Sequence, residues 1–131
     1  MTVQEHLQQA RRNEGLSQRL EIPPFRTYDW ATTTLFYCIL HFVDAYLLDR
    51  HRISPRGHTA TSRRGQKIPG RNDYVKQHLP GIYDAYKMLY DASRWARYEG
   101  AFLDPGSMQD YQRLRDNDFA SARLFFRQLG W

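Results

Sequence analysis

The stretch "DWATTTLFYCILHFVDAYLLDR", residues 29 to 50, contains the most apolar run of the chain. Apolar residues recur in it at spacings of three and four, which is the period of a helix. They are Ala31, Leu35, Cys38, Phe42 and Ala45, flanked by Trp30, Phe36, Ile39, Leu40 and Val43. The pattern predicts a central helix packed on more than one side, running from an Asp29 cap to about Arg50.

A second helical pattern precedes this segment. It predicts a mostly polar helix from Val3 to Leu20. The prolines of "IPPF", residues 22 to 25, end it, because proline has no backbone N–H to donate inside a helix. Its inward positions would be Leu7, Ala10 and either Leu16 or Arg19.

Helical patterns also follow residue 70. One begins at Arg71 and ends at Gly100, with an interruption at Pro80. Pro80 suits the first turn of a new helix. The second piece would bury Ile82, Tyr86, Leu89, Ser93 and Ala96. The last helix is predicted from a Ser107 cap to a stop at Gly130. Its apolar positions are Met108, Tyr111, Phe119, Ala122, Phe126 and Leu129.

Residues 51 to 70 hold two prolines, three glycines and almost nothing apolar, so they are predicted to be one long loop. Alternating valine or isoleucine runs, which would indicate strands, do not occur. The sequence therefore predicts an all-α fold, an antiparallel bundle of four to five helices with one long basic loop. At 131 residues it would form a single domain, residues 1–131.

The positive charge of the chain is concentrated in this loop. From Arg50 to Asn72 there are seven basic residues and no acidic one, and the rest holds twelve basic against fourteen acidic residues, a net charge of −2. Such a segment is typical of a polyanion-binding surface, although a solvated loop is the simpler explanation. The predicted nucleic-acid contacts are Arg52, Arg56, Arg63, Arg64 and Lys67.

Three features favour a cytoplasmic protein. The apolar run from Leu35 to Val43 is shorter than the roughly 20 residues that span a bilayer. The N-terminal "MTVQEHLQQARR" lacks the apolar segment of a secretory signal. Cys38 is the only cysteine, which excludes an intrachain disulfide and the usual thiolate metal sites.

Motifs for metal, ATP and serine-hydrolase chemistry are missing from the sequence. Neither His-Glu-x-x-His nor Glu-x-x-His occurs, and there is no glycine-rich phosphate loop and no G-x-S-x-G elbow. His41 and Asp44 are spaced as a ligand pair on the central helix, but a core histidine with its hydrogen-bond partner explains them better. We expect no metal and no cofactor.

Arg71 and His78 remain as a candidate pair. Seven residues turn a helix by about 700°, so the two side chains lie within about 20° on one face and about 10.5 Å apart along the axis. Histidine exchanges protons near neutral pH, and the planar fork of arginine suits phosphate oxygens. RNA cleavage needs little more, because the 2′-OH is the nucleophile. An exposed polar face is the alternative, and Arg52 with His58 is a looser second pair.

The segment "RNDYVKQH", residues 71 to 78, resembles the Arg-x4-6-His motif of the HEPN superfamily, in which a polar residue such as Asn72 follows the arginine. The stretch from Asp29 to Arg50 is similar to the second helix of small bacterial HEPN proteins. "YKMLYDASRWARYE", residues 86 to 99, resembles their Tyr, Leu, Ser and Ala-Arg-Tyr run. The resemblance covers about Tyr28 to Glu99.

This resemblance implies a helical bundle that forms a homodimer, in which the arginine and histidine of both subunits line a shared cleft. It implies a metal-independent endoribonuclease that leaves a 2′,3′-cyclic phosphate, as a toxin or defence effector with an antitoxin or nucleotidyltransferase partner. His78 would be the acid–base residue, Arg71 the phosphate clamp and Asn72 a positioning group. Leu79-Pro80 replaces the His-x-Tyr of toxins silenced by adenylylation, so that mode of control is not expected.

Two alternatives stay open. In close relatives a histidine shortly after the second helix lies near the arginine, and His58 stands in that place. His58 rather than His78 would then be the functional histidine. The chain could instead be a non-catalytic HEPN module that binds RNA, a nucleotide or a protein partner, or a dimeric scaffold whose basic loop meets an acidic partner.

Overall fold

The structure, a computed structural model, describes residues 1–99 and 105–131. The helices are α1 (Val3–Leu20), α2 (Tyr28–His51), α3 (Arg71–His78), α4 (Tyr83–Arg94), α5 (Pro105–Leu114) and α6 (Ala120–Gln128). Two short strands, β1 (Thr61–Arg63) and β2 (Gln66–Ile68), form the one sheet in these ranges. The fold is therefore mostly helical, as predicted, with a small sheet that was not expected.

α2 is the central helix. It contacts α1, α3, α4, α5 and α6, and it is buried around most of its circumference. Its fully buried side chains include Leu35, Phe36, Ile39, Phe42, Val43 and Leu47. By length and composition alone α2 is apolar enough to cross a membrane, but 72 % of its most apolar window is buried inside the protein. α2 is thus mostly covered by the rest of the protein.

α1 begins and ends where the sequence predicts. Thr2 caps it: the Thr2 hydroxyl accepts the Glu5 N–H at 3.2 Å, and the Glu5 carboxylate accepts the Thr2 N–H at 2.6 Å. The expected inward side chains in its last turns were wrong, because Leu16 and Arg19 are exposed and Ser17 is buried instead.

The expected cap of α2 was also wrong. The helix starts at Tyr28, so Asp29 lies inside its first turn, and Thr27 occupies the cap position without a side-chain hydrogen bond to the helix. Trp30, expected in the apolar surface, is 58 % exposed.

The helix that begins at Arg71 ends at His78, and Pro80 starts a 3₁₀ turn, Pro80–Ile82, that leads into α4. Proline at the start of the second piece is as predicted, and so is the buried face of that piece, Ile82, Tyr86, Leu89, Ser93 and Ala96. α4 continues as a π-helical turn, Trp95–Glu99. The predicted end at Gly100 lies outside the described residues.

The last helix begins at Pro105, so Ser107 is not its cap. α5 and α6 are joined by a π-helical turn, Arg115–Phe119. The Gly130 stop is confirmed: Gly130 has φ +86° and donates its N–H to Arg127, while the Trp131 N–H reaches the Phe126 carbonyl at 3.1 Å. These two bonds form a Schellman motif, which satisfies carbonyls at the helix end.

Part of the predicted loop is a β-hairpin. Arg63 pairs with Gln66, Ser62 with Lys67 and Thr61 with Ile68, in antiparallel register. The two-residue turn is Arg64-Gly65, with φ of +51° and +75°. Positive φ at both positions matches the right-handed twist of the strands and is easiest where glycine is present.

Candidate nucleic-acid site

Two backbone hydrogen bonds join the start of α3 to the loop that precedes the hairpin. The Arg71 N–H donates to the Gly57 carbonyl at 2.7 Å, and the Asn72 N–H donates to the His58 carbonyl at 2.9 Å. The first N–H groups of a helix have no partner within the helix, so these loop carbonyls satisfy them. The two bonds hold His58 beside Arg71, although thirteen residues separate them in sequence.

Gly70 makes this close approach possible. A Cβ at Gly70 would lie 2.3 Å from the Thr59 carbonyl carbon and 2.6 Å from the His58 carbonyl oxygen. Any larger residue would push the loop away from α3. The Gly70 N–H also donates to the Asp73 carboxylate at 2.9 Å, which anchors the chain entering the helix.

The Arg71 side chain is buried and fully engaged. Its Nε donates to Asp44 Oδ1 at 2.6 Å and its Nη2 donates to Asp44 Oδ2 at 3.0 Å. The remaining nitrogen, Nη1, lies 3.1 Å from Nδ1 of His58. Arg71 therefore links α2 to the loop, and its guanidinium does not face solvent as a phosphate clamp would.

The contact with Arg71 determines the protonation pattern of His58. Arginine has only donors, so Nδ1 of His58 must accept, and the neutral ring then carries its hydrogen on Nε2. Burial lowers the pKa of His58 below its usual value, and the charges of Arg71, Arg97 and Arg94 lower it further, against an opposing effect of Asp44. Near neutral pH His58 is thus a neutral ring that offers an Nε2–H donor.

His58 forms part of the wall of a cleft of about 430 Å³. The other lining residues come from α2, the loop and the end of α4; they are Tyr37, Thr59, Tyr90, Arg94 and Arg97. Two arginines, two tyrosines, a threonine and a histidine therefore line one concave space. That chemistry suits an anion carried on a group that can stack or accept hydrogen bonds.

The cleft arginines are held by the tyrosines. Arg97 donates from Nη1 to the Tyr37 hydroxyl at 2.8 Å, and its guanidinium lies 5.5 Å from the centre of that ring. Arg94 lies 5.6 Å from the centre of the Tyr90 ring. Arg94 is exposed, and among the described residues no carboxylate lies within ion-pair distance of it.

Asn72 lies behind this site. Its side-chain oxygen accepts the hydroxyl of Tyr86 at 2.9 Å, and burial raises the pKa of that phenol. Because Tyr86 is fully buried in the core, the bond fixes Asn72 and the first turn of α3. The contact positions Asn72 itself, and the positioning role that the resemblance implies stays a prediction.

The structure does not bring Arg71 and His78 together. They are the first and last residues of α3, and the guanidinium of Arg71 is turned toward Asp44 and His58. The His78 ring instead packs at a tilt against His51, with ring centroids 4.0 Å apart. The expectation that one phosphate could touch both side chains fails because Arg71 is committed to buried partners.

The basic residues of the loop are exposed: Arg52, Arg56, Arg63, Arg64 and Lys67. In the hairpin register, Arg63 and Lys67 are on opposite faces, because side chains alternate along a strand. The hairpin begins two residues after Thr59, which lines the cleft, and the chain returns to α3 through Gly70. Its charges are therefore carried on a ribbon that projects from the edge of the cleft.

His41 and Asp44 do not pair with each other, contrary to the expectation from the sequence; each has another partner. Asp44 pairs with Arg71, while Nδ1 of His41 lies 3.0 Å from Nδ1 of His6 on α1. Among residues 1–99 and 105–131 no group of three or more His, Cys, Asp or Glu side chains is placed to hold a metal ion.

Sequence reasoning missed Asp44 as the partner of Arg71 and missed Arg94 and Arg97 as cleft residues. The spacing of Tyr90, Arg94 and Arg97, at i, i+4 and i+7, places them on one helix face and was the available signal. The chain matches no family model, no curated protein and no solved structure. Function is therefore argued from the site.

Proposed function

We propose that this protein binds RNA, with an unpaired nucleotide in the cleft beside His58 and the flanking backbone along the basic hairpin. The observation that carries the proposal is the Arg71–His58 contact of 3.1 Å, which presents a histidine N–H donor in the wall of a cleft lined by Arg94 and Arg97. We also propose that the helices form an antiparallel bundle like that of the HEPN superfamily and that the protein is cytoplasmic.

Charge and shape support a single-stranded RNA ligand. Exposed arginines and a lysine next to the cleft would neutralise phosphates, and aromatic side chains and arginine planes stack on unpaired bases. The cleft volume, 430 Å³, is within the range of ligand pockets, about 300 to 1,000 Å³. A cleft of that size accepts one splayed nucleotide more readily than a duplex.

The state of His58 favours binding over cleavage. A general base needs an unprotonated nitrogen facing the substrate, whereas the Arg71 contact uses Nδ1 and leaves a hydrogen on Nε2. His58 in this arrangement donates a hydrogen bond to a phosphate or base oxygen. This arrangement supports a non-catalytic RNA-binding module over a ribonuclease.

Metal-independent RNA cleavage is the second candidate. The observation that favours it is the lowered pKa of His58, which keeps the ring unprotonated near neutral pH beside three arginines. Release of Nδ1 from Arg71 would permit the other tautomer and expose a base to the 2′-OH. A toxin or defence role, with an antitoxin or nucleotidyltransferase partner, belongs to this candidate.

The binding proposal is tested with a fluorescein-labelled single-stranded RNA whose affinity is measured against salt concentration. Arg94→Gln should weaken binding about tenfold at low salt and reduce the salt slope by about 0.7, the loss of one phosphate contact. Arg11→Gln, an exposed α1 arginine outside the cleft, is the matched control and should bind like wild type. Equal affinity of both variants would refute the cleft.

Cleavage is tested separately by incubating the same RNA with the protein in excess chelator. A product that ends in a 2′,3′-cyclic phosphate and disappears with His58→Asn would establish the second candidate. Intact RNA that stays bound would leave the binding module as the function. Loss of cleavage with His78→Ala but not with His58→Asn would instead make His78 the functional histidine.

We also propose that the protein forms a homodimer through the exposed face of α4. Met88 on α4 and Trp95 in the turn that continues it are 53 % and 45 % exposed and line a groove of about 670 Å³. Besides Arg94, which is assigned to the RNA cleft, the groove carries charges of both signs that two copies can pair across a two-fold axis: Asp91, Asp110 and Asp118, and Arg113. Light scattering should give a dimer mass for wild type and a monomer mass for Met88→Lys.

A further inference from the structure

Two histidines from different helices share one hydrogen between α1 and α2. Nδ1 of His6 lies 3.0 Å from Nδ1 of His41, and the ring centroids are 5.3 Å apart. At that distance one nitrogen must donate and the other must accept. A neutral pair meets this condition, and so does a pair that carries one additional proton.

A second additional proton breaks the arrangement. Both Nδ1 atoms would then carry hydrogens that point at each other across 3.0 Å, and two positive rings would face each other. Both rings are partly buried, so neither keeps its full hydration in place. The rings have to separate, which loosens the contact between the first turns of α1 and the middle of α2.

His41 lies three positions before Asp44 on α2, so the two side chains share a face of that helix, which connects the pair to the candidate site. Burial has the largest effect and lowers the pKa of both histidines; Asp44 favours their protonation and Arg71 opposes it. Near His6 the N-terminal amine also opposes protonation and Glu5 favours it. Asp44 holds Arg71, and Arg71 contacts His58.

We propose that His6 and His41 form an acid-operated latch whose opening releases the Asp44–Arg71–His58 chain. Cationic rings next to Asp44 compete with Arg71 for its carboxylate and repel the guanidinium. As Arg71 loses its anchor, Nδ1 of His58 loses its donor and can take up a proton. Acid would thereby convert His58 from a fixed neutral donor into a cation, and this last step matters for RNA only if the proposed function holds.

The latch is tested without RNA, by following the ring signals of His6, His41 and His58 by NMR from pH 8 to pH 5. In wild type, His6 and His41 should titrate in two separate steps, and His58 should respond at the second. In His41→Gln, whose amide donates and accepts without taking a proton, the response of His58 should disappear. His51→Gln, which alters an exposed histidine outside the pair, is the control and should leave that response intact.

Hydrogen exchange gives a second readout on the wild-type chain. Amides in the first turns of α1 should exchange up to about tenfold faster below the second step, the effect of losing one hydrogen bond. Single-step, simultaneous titration of His6 and His41 would overturn the latch, and so would a His58 response that survives in His41→Gln. If His41→Gln does not fold, His6→Gln takes its place. Failure to bind RNA refutes the proposed function but leaves these readouts unchanged.

Discussion

Arg71 and Asp44 form a two-point ion pair inside the protein, with Nε–Oδ1 and Nη2–Oδ2 distances of 2.6 and 3.0 Å. Their side chains are only 10 % and 8 % exposed. Because Asp44 is on α2 and Arg71 on α3, the pair fastens the helix that carries the candidate motif to the core. It also explains why the arginine of that motif orients His58 instead of meeting solvent.

Asp44→Asn should destabilise the protein by about 3–5 kcal/mol, because it leaves a buried guanidinium without its counter-charge. Chemical denaturation monitored by circular dichroism measures this change. Asp49→Asn is the matched control on the same helix, since Asp49 pairs with Arg50 at the surface, where side chains are 43 % and 54 % exposed. That control should cost less than about 1 kcal/mol. Similar losses for both variants would contradict a structural role for the buried pair.

Two substitutions of His58 distinguish the effect of its Nδ1 acceptor from the effect of its Nε2–H donor. Asn places a carbonyl oxygen near the position of Nδ1 and can accept from Arg71, whereas Phe keeps the ring contacts with Phe36 and Tyr90 but accepts nothing. His58→Phe should therefore lose about 1–3 kcal/mol of stability, and His58→Asn should lose less. Both should bind RNA more weakly, because both lack Nε2–H. Urea unfolding measures the stability of each variant, and RNA titration measures its affinity. If His58→Asn were less stable than His58→Phe, the assignment of Nδ1 as the acceptor would be contradicted.

Gly70→Ala should displace the loop from α3, because the new methyl group would lie 2.3 to 2.6 Å from backbone atoms of Thr59 and His58. A loss of about 1–3 kcal/mol is expected, as for other overpacked positions. Gly57→Ala, in the same loop with nothing within 4 Å, is the control and should fold with near wild-type stability. The melting temperatures of both variants measure this loss. Equal values would argue against the close approach of the loop to Gly70.

Acidification should weaken the fold below about pH 6.5. Burial lowers the pKa of His6, His41 and His58, so the unfolded chain takes up protons at a higher pH than the folded protein. The stability they contribute is complete above the unfolded value of 6.5 and is lost as the pH falls through the lower folded values. Urea midpoints from pH 7.5 to pH 5.0 measure this loss. A smaller pH dependence in a His6→Gln, His41→Gln double variant would identify its source, and an unchanged one would contradict it.

Helices were predictable because their signals are local. The apolar period of α2, the prolines after α1, Pro80 at the start of a helical piece and Gly130 at the end of the chain each act on neighbouring residues. Their positions agree with the structure to within a few residues. The hairpin was missed because its strands have three residues each and carry almost no apolar pattern. Its Arg64-Gly65 turn requires positive φ at both residues, and in the sequence only Gly65 signals such a conformation.

By itself the sequence determined that the chain is helical, that its charge is concentrated between α2 and α3, and that Arg71, Asn72 and a nearby histidine deserve testing. Only the tertiary structure decided which histidine lies beside Arg71. The reason is physical: a buried guanidinium requires a carboxylate and acceptors in fixed directions, and these come from Asp44 and His58, 27 and 13 residues away. Helix periodicity cannot report such contacts, because it describes a face and not the partner that covers it.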